Sequence, residues 1–203
     1  MAKRAKKATR HTPPKRRRVY ILPYVIMAAL IIGIPLGIYE MYQSNVDRNI
    51  KRLEEALCDY DVDYLKANTD RLPIILDVLK KSYSEDTTKQ DDFYKNNFSN
   101  LEINVIESTK SSRGKEVRVE VANVNYVDVF DKIPDDESDD KTHTDYMAAL
   151  SDPNQERNIY EADLYLERKF SGYRIYESRD FINAILGGAL DYADELDAPT
   201  TNN

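Results

Sequence analysis

Residue types that could do chemistry are scarce in this chain of 203 residues, which has two histidines, one cysteine and no tryptophan. His143 is the only histidine of the acidic part of the sequence, and it stands in "DKTHTD", a polar stretch that predicts a solvated loop. A general base needs a pKa shifted by burial or by neighbouring charges. A loop histidine therefore does not indicate proton transfer.

Two carboxylates, Asp163 and Glu177, fall within predicted strands. Alternation of apolar and polar residues places Asp163 on the polar face of its strand. Glu177 shares the parity of Tyr173 and Ile175, so it is either a buried acid or the last strand residue facing solvent. Neither pattern favours a catalytic carboxylate.

Five acids lie within residues 135–140, interrupted by Ser138. They could collect Ca²⁺ weakly, but the stretch lacks the glycine and the twelfth-position glutamate of an EF-hand, which favours a solvated loop. The sequence also lacks H-E-x-x-H, G-x-S-x-G, P-loop and Cys/His metal spacings. We therefore expect a protein that is not an enzyme, without catalytic, cofactor-binding or metal-binding residues.

Cys58 is the single cysteine and stands in "EEALCDY". A lone thiol cannot form an internal disulfide, so the fold must rest on its apolar core. We expect Cys58 to be a small apolar residue of that core.

Basic residues are concentrated at the amino-terminal end. Residues 1–18 hold nine bases and no acid, ending in Lys15, Arg16, Arg17 and Arg18. Since nine of the 29 bases lie there, residues 40–203 carry 20 bases against all 36 acids, a formal charge of -16. This charge disfavours nucleic acid and suits a protein partner, in particular a basic one.

The 21 residues from Val19 to Tyr39 contain no charge. A helix of this length spans the ~30 Å hydrocarbon core, whereas a secretory signal has a shorter apolar region followed by small residues. Residues 19–39 therefore predict a single membrane-spanning helix. The positive-inside rule makes residues 1–18 a basic cytoplasmic tail and places the acidic domain outside the cell membrane.

Gly33 and Gly37 form a G-x-x-x-G spacing within the predicted span. This spacing lets two helices approach closely, as in a homo-oligomer. Pro35 between them makes a local kink an equal alternative.

Beyond the span, residues 40–57 predict a stalk that continues the membrane helix into the first domain helix. The stretch "RLPIILDVLKKSYS" predicts a second helix with Pro73 in its first turn. The stretch "DYDVDYLKANTD", between the two helices, suggests breaks and caps. The stretch "SEDTTKQDD", after the second helix, suggests a polar link.

The remainder of the chain alternates with a period of two and predicts antiparallel strands. Leu101, Ile103 and Val105 mark the first strand, and "EVRVEVANVNY" the second. The stretch "YMAAL" predicts one or two turns of helix. A hairpin with Ser171-Gly172 as its turn follows, and then a helix capped by Ser178 or Asp180. Gly187 and Gly188 offer a C-cap for this helix, and the alternative is that "ALDYADEL" extends it. The order predicts an α+β fold whose sheet has one face covered by helices and one wet.

Two stretches, "LEEALCDYDVDYLK" and "LYLERKFSGYRIYESRDFINAILGG", resemble nuclear transport factor 2-like domains of the membrane-anchored type found on Gram-positive bacteria. The resemblance covers residues 48–190, and residues 191–203 are expected to form a tail. This chain has Tyr173 where the family usually has Trp. It implies a curved, cone-shaped sheet wrapped on helices. The residues that carry it are Gly172, Tyr173, Arg174, Ile175, Phe181, Ile185, Gly187 and Gly188.

The resemblance does not imply one activity, since this scaffold hosts enzymes, secretion-system subunits and binding modules. We expect a membrane-anchored extracytoplasmic binding or scaffold protein that acts in assembly at the bacterial cell envelope, through contacts with other envelope or membrane proteins. One alternative is the bitopic scaffold subunit of a type IV secretion or conjugation machine, which shares the plan of basic tail, span and external domain. The other is a small-molecule-binding or catalytic cone, which requires a closed apolar pocket above ~300 Å³.

Overall fold

The structure is a computed structural model that describes residues 27, 31, 32, 45–134, 138–169 and 172–197. The chain divides into two units, Met1–Tyr39 and Glu40–Asn203. In the first unit, Met27, Ile31 and Ile32 are helical. None of the helices in the described part of the chain combines the length and apolarity that crossing a membrane requires.

The predictions for the amino-terminal unit lie outside the described residues, apart from the three helical positions. They remain predictions of a basic tail, a span and a close helix approach. The residues concerned are Lys15, Arg16, Arg17, Arg18, Val19, Gly33, Gly37 and Tyr39.

The second unit is α+β, with helices first and a curved four-stranded antiparallel sheet after them, in the order β1-β2-β3-β4. The helices are α1 (Val46–Cys58), α2 (Val62–Asn68), α3 (Leu72–Tyr83), α4 (Thr87–Asn97), α5 (Tyr126–Phe130), α6 (Asp139–Leu150), α7 (Arg179–Ile185) and α8 (Ala189–Asp197). The strands are β1 (Glu102–Ser111), β2 (Gly114–Asn123), β3 (Asn158–Lys169) and β4 (Gly172–Glu177).

Helix α1 begins later than the stalk prediction requires. Asn45 has extended backbone, and its side chain accepts a hydrogen bond from the backbone N–H of Arg48 at 3.0 Å. This N-cap starts helix α1 at Val46, so the helical pattern does not run unbroken across Asn45. Residues 40–44 lie outside the described residues, and the stalk remains a prediction. The apolar spacing could indicate the helix but not its first residue.

Two helices were missed because their capping residues suggested breaks and links. Asp61 caps α2 through Tyr64 N at 2.9 Å, and Asp86 caps α4 through Thr88 N at 2.8 Å. Helix α4 buries only Phe93, Tyr94 and Asn97. Three buried positions are too few to produce a recognisable helical pattern in a polar stretch.

The strongly periodic elements are confirmed. Helix α3 has Pro73 in its first turn, and its Leu72 and Leu76 are fully buried. Val117, Val119 and Val121 of β2 point into the core, as their alternation predicts. The sheet lies over a core filled by the side chains of its inner face and of the helices.

The closing segment requires two corrections. Gly172 pairs with Lys169 and opens β4, so it does not lie in the turn. Residues 191–197, assigned to the tail with a helix extension as the alternative, belong to α8, which begins directly after Gly187 and Gly188. Ser178, rather than Asp180, caps α7 by accepting from Phe181 N at 3.0 Å.

Cys58 lies at the edge of the core and is partly buried. Its Sγ donates to the carbonyl oxygen of Phe98 at 3.3 Å. Burial, with a smaller effect of Glu54, raises the pKa of the thiol to about 11.

Candidate functional site

His143 lies in helix α6, so the prediction of a solvated loop histidine is wrong. Its Nδ1 is 2.7 Å from the Tyr83 hydroxyl, its Nε2 is 3.8 Å from Asp92 Oδ2, and its side chain is 13% exposed. The missed signal was the spacing of His143 with Tyr146, Met147 and Leu150, which is the three- and four-residue period of a buried helix face.

Tyr83 belongs to a cluster of five rings, which we call the aromatic cluster. Its ring stacks on Phe93 at 4.3 Å between centroids and 11° between planes. Burial, and then the charge of Asp92, raise the pKa of Tyr83, so its hydroxyl stays protonated. The cluster consists of Tyr83, Phe93, Tyr126, Phe130 and Tyr146.

The aromatic cluster lines an open cleft of about 270 Å³, the aromatic cleft, where α3, α4, α5 and α6 meet. Leu79, Ser82 and Val127 complete its walls. Phe130 stands at the rim with half of its surface exposed and its ring edge-on to Tyr146 at 5.2 Å. The cleft can receive an apolar side chain.

A second, polar hollow of about 380 Å³ adjoins the aromatic cleft and shares Tyr83 and Phe130 with it. His143 and Lys89 are among its lining residues. Lys89 bonds Asp140 at 2.7 Å and lowers the pKa of that carboxyl. His143 and Lys89 therefore already have partners within the protein.

Two exposed apolar side chains on α3, the apolar ridge, continue the aromatic cleft along the surface. Ile74 is 70% exposed and Val78 is 60% exposed. They precede Ser82 by eight and four residues, which places all three on one side of the helix. The ridge and the cleft therefore lie next to each other, with Ser82 between them.

The outer face of the sheet is polar, and it carries Asp163 as the alternation predicts. Asp163 bonds Arg118 across the strands at 3.2 Å. The rings of Tyr165 and Tyr176 lie side by side, 6.1 Å between centroids. An open hollow of about 560 Å³ lies over these residues.

Two buried glutamates of the domain accept hydrogen bonds from backbone N–H groups. Glu177 is buried, which decides between the two alternatives, and it accepts from the backbone N–H groups of Asp70 and Arg71 at 3.0 and 3.1 Å. Glu54 accepts from Ile103 N at 3.0 Å, which satisfies a donor on the edge strand β1. Both carboxylates have partners, so neither is free for catalysis.

Within the part of the chain that the structure describes, no group of three or more His, Cys, Asp or Glu side chains is placed to hold a metal ion. Of the acidic run at 135–140, Asp139 and Asp140 open helix α6, where carboxylates are favoured by the helix dipole. Residues 135–137 lie outside the described residues.

Comparison of the chain with protein-family models, curated proteins and solved structures gives no match.

Proposed function

We propose that this chain is a membrane-anchored binding or scaffold protein, which presents its α+β domain outside the bacterial cell and acts in envelope assembly through protein–protein contacts. One observation carries the proposal. The apolar ridge is exposed, and the aromatic cleft opens beside it across Ser82, on a domain whose other large apolar side chains are mostly buried. Such surfaces mark sites of protein interaction.

The composition of this surface favours a protein partner over a small substrate. Aromatic residues are enriched in the energetic centres of interfaces, and Phe130 and Tyr83 are held in place by the other rings. The cleft is open and smaller than pockets that enclose small molecules, and Lys89 and His143 beside it have internal partners. A side chain inserted from another protein suits this shape.

The anchor is the second part of the proposal. The uncharged residues 19–39 and the nine bases before them support a single span with a cytoplasmic amino terminus. A nuclear transport factor 2-like assignment of residues 48–190 is also proposed, supported by a curved antiparallel sheet with helices on one face.

Co-purification from native membranes tests the contact surface. The full chain should retain a discrete partner protein, and Phe130→Asp or Val78→Asp should reduce its recovery about tenfold or more, because a charge would be buried at the contact. Ile106→Asp is the matched control, since Ile106 is 49% exposed on β1 and lies away from the ridge. Equal recovery with all three variants would overturn the proposal.

Protease treatment of intact cells freed of their wall tests the topology. Cleavage should remove the residues beyond the span while the amino-terminal tail stays protected. Protection of the acidic domain would overturn the orientation.

A further inference from the structure

The open hollow of about 560 Å³ on the outer sheet face has two rows of side chains as its floor. The rows run across the strands, and neighbours within each row are direct partners in the strand register. One row consists of Thr109, Glu116, Tyr165 and Tyr176. The row beside it consists of Glu107, Arg118 and Asp163. Since strands lie about 4.8 Å apart, the row that crosses all four strands is about 14 Å long.

Tyr165 and Tyr176 form an aromatic platform at one end of this row. Their ring centroids are 6.1 Å apart, with 37° between the ring planes. The Tyr176 hydroxyl donates to Glu167 Oε2 at 3.0 Å, and the Arg174 guanidinium lies 5.7 Å from the centroid of the Tyr176 ring. These contacts hold Tyr176 in place beside Tyr165, so a ligand that stacks here orders few side chains.

Groups that can bond a ligand lie in the same hollow. Within the described part of the chain, the side chains of Thr109, Glu116 and Tyr165 form no hydrogen bond or ion pair. Arg118 bonds Asp163 through its Nε at 3.2 Å, which leaves its terminal N–H groups as donors. The hollow therefore offers hydrogen-bond donors and acceptors next to an aromatic surface.

We propose that this hollow binds a neutral oligosaccharide, with one pyranose ring stacked on the platform of Tyr165 and Tyr176. The C–H groups on the face of a pyranose suit the electron-rich face of an aromatic ring. Its hydroxyl groups both donate and accept, so they suit Glu116, Thr109 and Arg118. The row of about 14 Å has the length of about three linked pyranoses.

The charges of the hollow argue against other ligands that stack on aromatic rings. Residues 40–203 carry a formal charge of -16, which disfavours nucleic acids and nucleotides. A cationic ligand is disfavoured because Arg118 stands between Glu107 and Asp163, and because the Arg174 guanidinium already lies over the Tyr176 ring. A neutral ligand avoids both conflicts.

This inference goes beyond the proposed function, because it concerns a different surface and a different class of ligand from the apolar ridge and the aromatic cleft. Sugar binding and the protein contact can each fail without the other.

NMR titration of the full chain, in micelles of a detergent without a sugar headgroup, tests the proposal with chitotriose and cellotriose as probes. We expect at least one of the two to bind with a Kd of about 1 mM or tighter. Tyr165→Ala should weaken that binding about tenfold or more, because it removes half of the platform. Tyr165→Phe keeps the ring and should weaken it no more than about threefold. Thr109→Arg, at the other end of the row, fills the hollow with a long side chain and should weaken binding at least about fivefold.

Ile159→Ala is the matched control. Ile159 is 64% exposed on the same face of β3, does not line the hollow, and lies roughly 20 Å along the strand from Tyr165. It should change the affinity less than about twofold. The proposal is overturned if neither sugar binds, if Ile159→Ala or Tyr165→Phe weakens binding as much as Tyr165→Ala, or if a trilysine peptide binds the hollow more tightly than both sugars.

Discussion

The Tyr83 hydroxyl lies 2.7 Å from His143 Nδ1, and this hydrogen bond ties the last residue of α3 to α6. Tyr83 also lines both the aromatic cleft and the polar hollow. The bond therefore fixes the shape of the surface through which we propose that the protein binds.

Tyr83→Phe keeps the ring stacked on Phe93 and removes only the hydroxyl. It should lower the free energy of unfolding by about 1 kcal/mol, the usual net value of one hydrogen bond, measured by denaturant unfolding. Tyr165→Phe is the control, because its partly exposed ring has no hydrogen bond to the rest of the described chain. Equal losses for the two variants would argue against the Tyr83–His143 bond.

Glu177→Gln tests the tie between β4 and the start of α3. The carboxylate accepts two backbone N–H groups, whereas the amide has one acceptor oxygen, so one partly buried backbone donor loses its partner. We expect a loss of roughly 1–3 kcal/mol in the free energy of unfolding. Glu116→Gln, on an exposed residue without an ion pair in the described chain, should stay within about 0.5 kcal/mol of the parent.

Gly187→Ala should destabilise the fold by at least about 2 kcal/mol. Its φ is +64°, and an added Cβ would stand 2.2 Å from the backbone carbonyl oxygen of Val124, which cannot move aside without shifting the strand end. Gly188→Ala is also strained, since its φ is +91°, but it should cost less, because its Cβ would meet the end of the Tyr160 side chain and not the backbone. Chemical denaturation of both variants checks this order, which would be contradicted if Gly188→Ala were the more harmful.

Cys58 should resist alkylation. Burial disfavours its thiolate, so the thiol that titrates at 9.0 in the unfolded chain titrates at about 11 in the native protein. Since only the thiolate reacts, iodoacetamide at pH 8 should label the native protein roughly a hundredfold more slowly than the denatured chain. The stability that this thiol contributes is complete below pH 9 and is lost as the pH rises towards 11. A native labelling rate that levels off near pH 9 would contradict the burial.

Periodicity allowed much of the fold to be predicted. Helix α3 and the central strands have uninterrupted apolar patterns, whereas α4 and the first half of α6 have few buried residues among many polar ones. Capping aspartates such as Asp61 and Asp86 predict a break as readily as a helix start, because the same residue types favour both turns and N-caps. The local sequence alone does not show whether such an aspartate lies in a turn or caps a helix.

The candidate site was harder to predict than the fold. Ile74 and Val78 lie opposite Leu72 and Leu76 on α3, which explains their exposure. A helical projection of the sequence is therefore sufficient to predict the apolar ridge. The aromatic cleft was not, because its rings come from four helices whose packing brings Tyr83 to His143. Likewise, alternation gives the face of Asp163, but only the strand register gives its partner Arg118.

Site-specific photo-crosslinking in native membranes tests the central claim most directly. Benzoylphenylalanine would replace Val78, Phe130 or, as the control, Ile106 in the full chain. We predict adducts with one discrete protein from positions 78 and 130, none from position 106, and loss of the position 78 adduct when Phe130→Asp is added. Failure of positions 78 and 130 to capture a protein, or the same adduct from position 106, would contradict the account.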